Sequence, residues 1–142
     1  MQRVRILIGI LGMDQHEVGA IAVSRMLRDA GMEVIYAGRF NLPHMIVQTC
    51  VQEDVDVIGL SCHSWEYLYY VPQLMELLIK SEAEIPVVVG GSVITPGDRT
   101  NLTQMGVAAA FSVWSSDKEI VETIRGLVKR RRLEVDANEG SL

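Results

Sequence analysis

"VRILIGILGMDQHEVGA", residues 4–20, runs from an unbroken apolar stretch through a short polar segment into a helical pattern. Continuous apolar character, without alternation, marks a strand covered on both faces, as in a parallel sheet. Such a strand has no packing reason to end on an aspartate and a histidine two residues apart, Asp14 and His16, with Gly19 following.

The same kind of run returns in "EVIYAG" (33–38), "DVIGLS" (56–61), "IPVVVGG" (85–91) and "VAAAFS" (107–112). Helical spacing fills the intervals. Val18, Ile21, Ala22, Arg25, Met26 and Leu27 predict a first helix that stops at Gly31. Pro43 opens a second with Ile46, Val47 and Cys50. Val71, Leu74, Leu77 and Leu78 mark a third, and Ile120, Ile124, Leu127 and Val128 a last amphipathic one. Between Thr95 and Met105 the helical pattern is weakest. Strand and helix in alternation predict an α/β fold: a flavodoxin-like (Rossmann-like), doubly wound, five-stranded parallel sheet. One domain is expected over residues 1–133, followed by a flexible acidic tail, "EVDANEGSL", over 134–142.

Composition narrows the function classes. A formal charge of −5 over 142 residues argues against nucleic acid as the main partner, since phosphate binding draws on lysine and arginine. The basic run Lys129–Arg132 reads as the solvated end of the last helix. Cys50 and Cys62 have no zinc-site spacing and are too few for a disulfide framework, so reduced thiols in a cytoplasmic protein are expected. The N-terminal apolar run is short, is interrupted by Asp14 and lacks a cleavage site, so it reads as a strand and not as a secretory signal. No segment nears the roughly 20 apolar residues that span a bilayer, so no membrane association is expected.

In a doubly wound sheet, ligands bind beyond the carboxyl ends of the strands, where strand order reverses. There the sequence places Gly12 to His16 after the first strand, Ser61 to Trp65 after the third, Gly90 to Ser92 after the fourth and Ser112 to Trp114 after the fifth. Each piece has a plainer explanation. Asp14 and Glu17 match a capping box, Gly90-Gly91 could be a tight strand exit, and Trp65 with Tyr67, Tyr69 and Tyr70 could be core or interface. Their convergence on one edge predicts a site. The common ligands of the fold fit poorly: G-x-G-x-x-G is missing from the first turn, an acid stands where a flavin phosphate would lie, and Ser61 stands where a phospho-receiver has its aspartate. A histidine beside an aspartate suits a metal ligand and the carboxylate that fixes its tautomer. One histidine cannot build a zinc site, but it can supply the single protein ligand to a metal held in a macrocycle.

These motifs resemble the cobalamin (vitamin B12)-binding domain of the methylmalonyl-CoA mutase family, which carries D-x-H-x-x-G after the first strand, S-x-L after the third and G-G after the fourth. Asp14-Gln15-His16-Glu17-Val18-Gly19 matches the first, Gly90-Gly91 the third, and Ser61-Cys62-His63 the second in its serine only. The similarity runs on through "LRDAGMEVIYAG" (27–38) and "VQEDVDVIGLS" (51–61), to about Arg130. The resemblance implies that His16 binds cobalt as lower axial ligand with Asp14 hydrogen-bonded to it, and that Gly19 allows close approach. The displaced nucleotide tail would thread between Ser61 and Gly90-Gly91. Where the family has leucine this chain has His63, and Ser112-Val113-Trp114-Ser115 stands in place of a G-P-G-T-like turn.

The resemblance implies a cofactor-binding small subunit of an adenosylcobalamin-dependent acyl-CoA mutase, of the methylmalonyl-CoA or 2-hydroxyisobutyryl-CoA type. It would be inactive alone and have no catalytic acid or base of its own. A separate large subunit with a barrel domain would hold the acyl-CoA. A stand-alone corrinoid carrier is a second reading, weakened because the first strand begins at about Val4 with no helical module before it. An empty scaffold is a third, supported by His63.

Overall fold

Each apolar run forms a strand and each helical stretch a helix: β1 (Arg5–Leu11), α1 (Val18–Asp29), β2 (Glu33–Asn41), α2 (Pro43–Glu53), β3 (Val57–Ser61), α3 (Tyr67–Lys80), β4 (Val87–Gly90), α4 (Pro96–Gln104), β5 (Ala109–Phe111) and α5 (Asp117–Gly140). The computed structural model describes residues 3–12, 17–62, 65–91, 94–112 and 115–140. The strands pair in parallel in the order β2-β1-β3-β4-β5, so β2 and β5 are the edges. From β1 the chain steps outward to β2 and then crosses back to β3. The reversal puts the ligand crevice beyond the carboxyl ends of β1 and β3.

Alternation along β1 sorts the core into two layers. Ile6, Ile8 and Ile10 pack with Ala20 and Leu27 of α1 and with Ile124 and Val128 of α5. Leu7 and Leu11 pack with Ile46 and Cys50 of α2, Leu74 of α3 and Leu102 of α4. The expected faces of α2, α3 and α5 are the buried ones.

Helix α1 differs from its expected face. Ala20, Ser24 and Leu27 are buried, whereas Val18 is 84% exposed and Ile21, Ala22 and Arg25 also lie outward. Ala20 and Ser24 face the sheet beside Leu27, whereas Val18 and Ile21 face solvent. Hydrophobicity alone placed Met26 and Leu27 correctly but put Val18 and Ile21 on the inner side, because the surface covered by the first turns needs space more than it needs bulk.

The other differences are at helix ends. Helix α4 forms despite its weak apolar pattern because its start is well capped. The Asp98 amide donates to Thr95 Oγ1 (3.2 Å), the Thr95 amide donates to the Asp98 carboxylate (2.9 Å), and Pro96 fills the first turn. Helix α5 continues to Gly140, beyond the end expected at Leu133, since no proline or glycine lies between Leu133 and Gly140. The basic run is therefore inside the helix, and part of it is engaged. Arg131 Nε donates to the Glu84 carbonyl (2.6 Å), and Arg132 pairs with Asp56 at 3.1 Å, tying α5 to the amino edge of the sheet. Only Lys129 and Arg130 match the solvated reading.

The carboxyl end of β2 is irregular. Its register with β1 slips twice, between Ile8 and Gly9 and again between Gly9 and Leu11. Gly38 (φ 71°) and Phe40 (φ 64°) both lie in the left-handed region there.

Candidate cofactor site

Between α1 and α5, against one face of the sheet, lies a cavity of about 310 Å³. It exists because α1 presents Gly19 and Ala20 where larger side chains would fill the gap. Ser61 closes β3 and pairs in register with Gly90 of β4, and both line the cavity with Gly91. The Cys62 amide donates to the Gly90 carbonyl (2.8 Å), drawing the two strand exits together. Gly91 has φ 151°, and a methyl group on it would lie 1.7 Å from the Cys62 carbonyl oxygen. No other residue fits there.

The walls are largely apolar, with Ile8, Val88, Phe111 and Ile120 among them, while Ser112, Ser115 and Asp117 supply polar groups. Ser115 Oγ is buried with no hydrogen-bond partner. A buried hydroxyl left unpaired costs about 1–3 kcal/mol. The cavity therefore suits a ligand that is apolar over most of its surface and offers a polar group to Ser115.

Behind the glycine turn, the buried Tyr67 hydroxyl donates to the Asp98 carboxylate, which the Thr95 hydroxyl also reaches at 2.7 Å. Burial, then this bond, pushes the Tyr67 phenol well above its ordinary range. The Tyr67 hydroxyl, then Thr95, holds the Asp98 carboxyl below the usual carboxylate range. The pair joins α3 to the start of α4 and so holds the far end of the segment that leaves Gly91.

The ends of the segment after β1 are held by β2. The Gly12 amide donates to the Asn41 carbonyl (2.8 Å), and Asn41 Nδ2 donates to the carbonyls of Gly38 (2.8 Å) and Ile10 (3.3 Å). At the other end the Tyr36 hydroxyl donates to Glu17 Oε1 (2.6 Å), and Arg39 Nε lies 3.3 Å from Glu17 Oε2. Burial and the Glu17 carboxylate push the Tyr36 phenol up to about 12. Asp14, the other half of the expected capping box, lies outside the described residues. Glu17 itself is the N-cap residue of α1, makes no side-chain capping bond, and spends its carboxylate on β2.

Of the residues expected at the site, Gly19, Ser61, Gly90 and Gly91 line the one cavity. Asp14, His16 and His63 lie outside the described residues, as does Trp114. Trp65 is 73% exposed, whereas Tyr67 is core. The roles of Ser115, Tyr36, Arg39 and Asp98 went unread in the sequence. Only the departure of residues 112–115 from the family turn pointed toward Ser115. Among the described residues no three His, Cys, Asp or Glu side chains gather as a metal site. A larger open groove, about 790 Å³, lies at the opposite edge between the end of α3 and α5, away from all of these residues.

A family model described as the B12 binding domain matches residues 4–125. The chain belongs to the B12-binding domain family. This B12-binding domain is 37% identical over 128 residues to the 2-hydroxyisobutanoyl-CoA mutase small subunit of Aquincola tertiaricarbonis, covering 90% of this chain and 94% of that one. It is also 37% identical to the pivalyl-CoA mutase small subunit of Xanthobacter autotrophicus, covering 92% and 87%. The methylmalonyl-CoA mutase of Escherichia coli is 33% identical over 91% of this chain, a stretch that makes up 18% of that enzyme. In fold, the B12-binding domain superposes with TM-score 0.77 on a cobalamin-binding protein from Desulfitobacterium hafniense, at 19% identity, covering 89% of this chain and 60% of that one. It superposes with TM-score 0.69 on the NarL receiver domain of Mycobacterium tuberculosis, at 20% identity, covering 91% and 98%.

Proposed function

We propose that this B12-binding domain is the cobalamin-carrying small subunit of a heteromeric acyl-CoA mutase, with adenosylcobalamin as cofactor and His16 as lower axial ligand to cobalt. The carrying observation is the near end-to-end similarity to two mutase small subunits, on a fold whose motif residues Gly19, Ser61, Gly90 and Gly91 line one cavity. When bound, the corrinoid supplies a cobalt–carbon bond whose cleavage begins the rearrangement of a carbon skeleton.

The work of this chain is to ligate, orient and shield. His16 would give one imidazole nitrogen to the metal, and Asp14 would accept the proton of the other, fixing the tautomer and raising ligand basicity. Gly19 and the Gly90-Gly91 turn leave room in the cavity for the nucleotide tail, Ser61 and Ser115 would offer it hydroxyls, and His63, two residues after Ser61 in the chain, would add a polar group. The apolar walls keep water from the buried part. Catalytic acids and bases belong to a large barrel-domain subunit that binds the acyl-CoA. The carboxyl edge of the sheet suits such a partner. Val18, Phe40, Leu42, Met45, Trp65 and Leu68 stand exposed around it, an apolar rim that the isolated chain leaves in water. Among the described residues no helix is long and apolar enough to cross a membrane. Cys50 and Cys62, both buried and outside any disulfide, suit the reducing cytoplasm, where we place the protein.

Titration of the purified chain with adenosylcobalamin, followed by absorbance and by nitrogen-15 hyperfine structure in the cobalt(II) spectrum of labelled protein, tests the reading. Coupling to a protein nitrogen that disappears in His16→Ala is expected. Binding with the cofactor's own base still on cobalt would overturn it.

A further inference from the structure

In a regular strand, residues 36 and 39 point to opposite faces of the sheet, because side chains alternate with period two. Here Tyr36 and Arg39 bond the same carboxylate, that of Glu17. The double register slip of β2 against β1, with left-handed Gly38 and Phe40, makes this possible by inserting residues that turn Arg39 toward α1. Phe40 holds a conformation that non-glycine residues avoid, at the place where the strand borders the site. Arg39 also lies 5.2 Å over the Phe40 ring, which steadies the guanidinium beside Glu17. The same kinked end, through Asn41, holds Gly12. The residues on either side of 13–16 are thus both fastened to the irregular end of β2. Gly12 could not readily become larger: its φ is 67°, and a methyl group there would lie 2.4 Å from the Glu66 carboxylate.

We propose that the bulged end of β2 is a latch, in which Tyr36 and Arg39 act through Glu17 as positioning residues for the adjacent cobalt ligand His16. This rests on the reading of His16 given above. Glu17 follows His16 directly in the chain, so restraining Glu17 narrows the backbone freedom that ligation by His16 would otherwise have to remove.

The test uses the full chain, titrated with adenosylcobalamin and then examined as the cobalt(II) form by nitrogen hyperfine coupling, alongside thermal unfolding without cofactor. Tyr36→Phe keeps the ring and removes only the donor; Arg39→Met keeps the stem and removes the charge. Each is expected to weaken cofactor binding about tenfold, or about 1.4 kcal/mol. Each is also expected to reduce the fraction of cofactor ligated by a protein nitrogen, with the cofactor-free unfolding midpoint within a few degrees of wild type. Arg39→Lys recovers part of the loss, and adding Tyr36→Phe to Glu17→Ala produces no further change, since the hydroxyl acts only through that carboxylate. If the wild type shows protein-nitrogen coupling and both variants match it in coupling and affinity, the latch is wrong and the function stands. If the wild type shows no such coupling, the His16 assignment falls and the latch falls with it.

Discussion

At position 91 the chain has no room for a single methyl group. With the Cys62 carbonyl 1.7 Å from where that carbon would sit, Gly91→Ala must open the junction of β3 and β4, and a loss of about 4 kcal/mol or more is expected in urea unfolding. One residue earlier, Gly90→Ala meets nothing nearer than Phe111 at 3.8 Å, so its stability should stay within about 1 kcal/mol of wild type. The added methyl narrows the cavity, and adenosylcobalamin affinity should fall. The pair of variants separates room for the fold from room for the ligand. Tyr67 and Asp98 give a pH signature. The folded pKa of Asp98 is depressed, so its contribution is complete above the unfolded carboxyl value of about 3.9 and is lost as pH falls through the lower folded value. The folded pKa of Tyr67 is raised, so its contribution is complete below about 10 and is lost as pH rises. Tyr67→Phe should lower stability near neutral pH by about 1–2 kcal/mol and flatten the decline between pH 5 and pH 2, as read from urea midpoints across that range.

Among the elements, those that bury a large apolar stripe were plain in the sequence, and those that cover a cavity were not. Helices α2 and α3 show their inner faces through Ile46, Cys50, Val71 and Leu74. Helix α1 conceals its own, because Ala20 and Ser24 are small and the apolar Val18 and Ile21 belong to the rim. The glycines and Ser61 could be read because spacing on a known strand pattern places them. Glu17 could not, since its partners Tyr36 and Arg39 meet it only through a bulge that no periodicity encodes. Helix α5 has two parts. Up to Arg132 it is fastened to Asp56 and Glu84, whereas the described side chains from Leu133 to Ala137 are exposed. Removal of residues 134–142 should therefore cost less than about 1 kcal/mol, whereas Asp56→Ala should cost about 1–2 kcal/mol, because the Arg5 amide and Arg132 lose their acceptor together. Chemical denaturation of the two variants would compare them directly.

For the whole molecule, a cofactor seated in the cavity between α1 and α5, as proposed above, would be part of the packing, and saturation should stabilise the fold as any native-state ligand does. At a free adenosylcobalamin concentration one hundred times the dissociation constant, the gain should be about 2.7 kcal/mol, visible as a rise in unfolding midpoint that Gly90→Ala diminishes at the same concentration. The topology that made this region findable also bounds the sheet on both sides. Its outer strands are β2 and a three-residue β5. A long straight outer strand invites pairing with another chain and the growth of fibres. Here β5 is too short to template such pairing, and β2 is bent by its two register slips at the end nearest the site. The irregularity that gathers Tyr36 and Arg39 on one carboxylate thus also guards the free chain against self-association while its apolar rim is still in water.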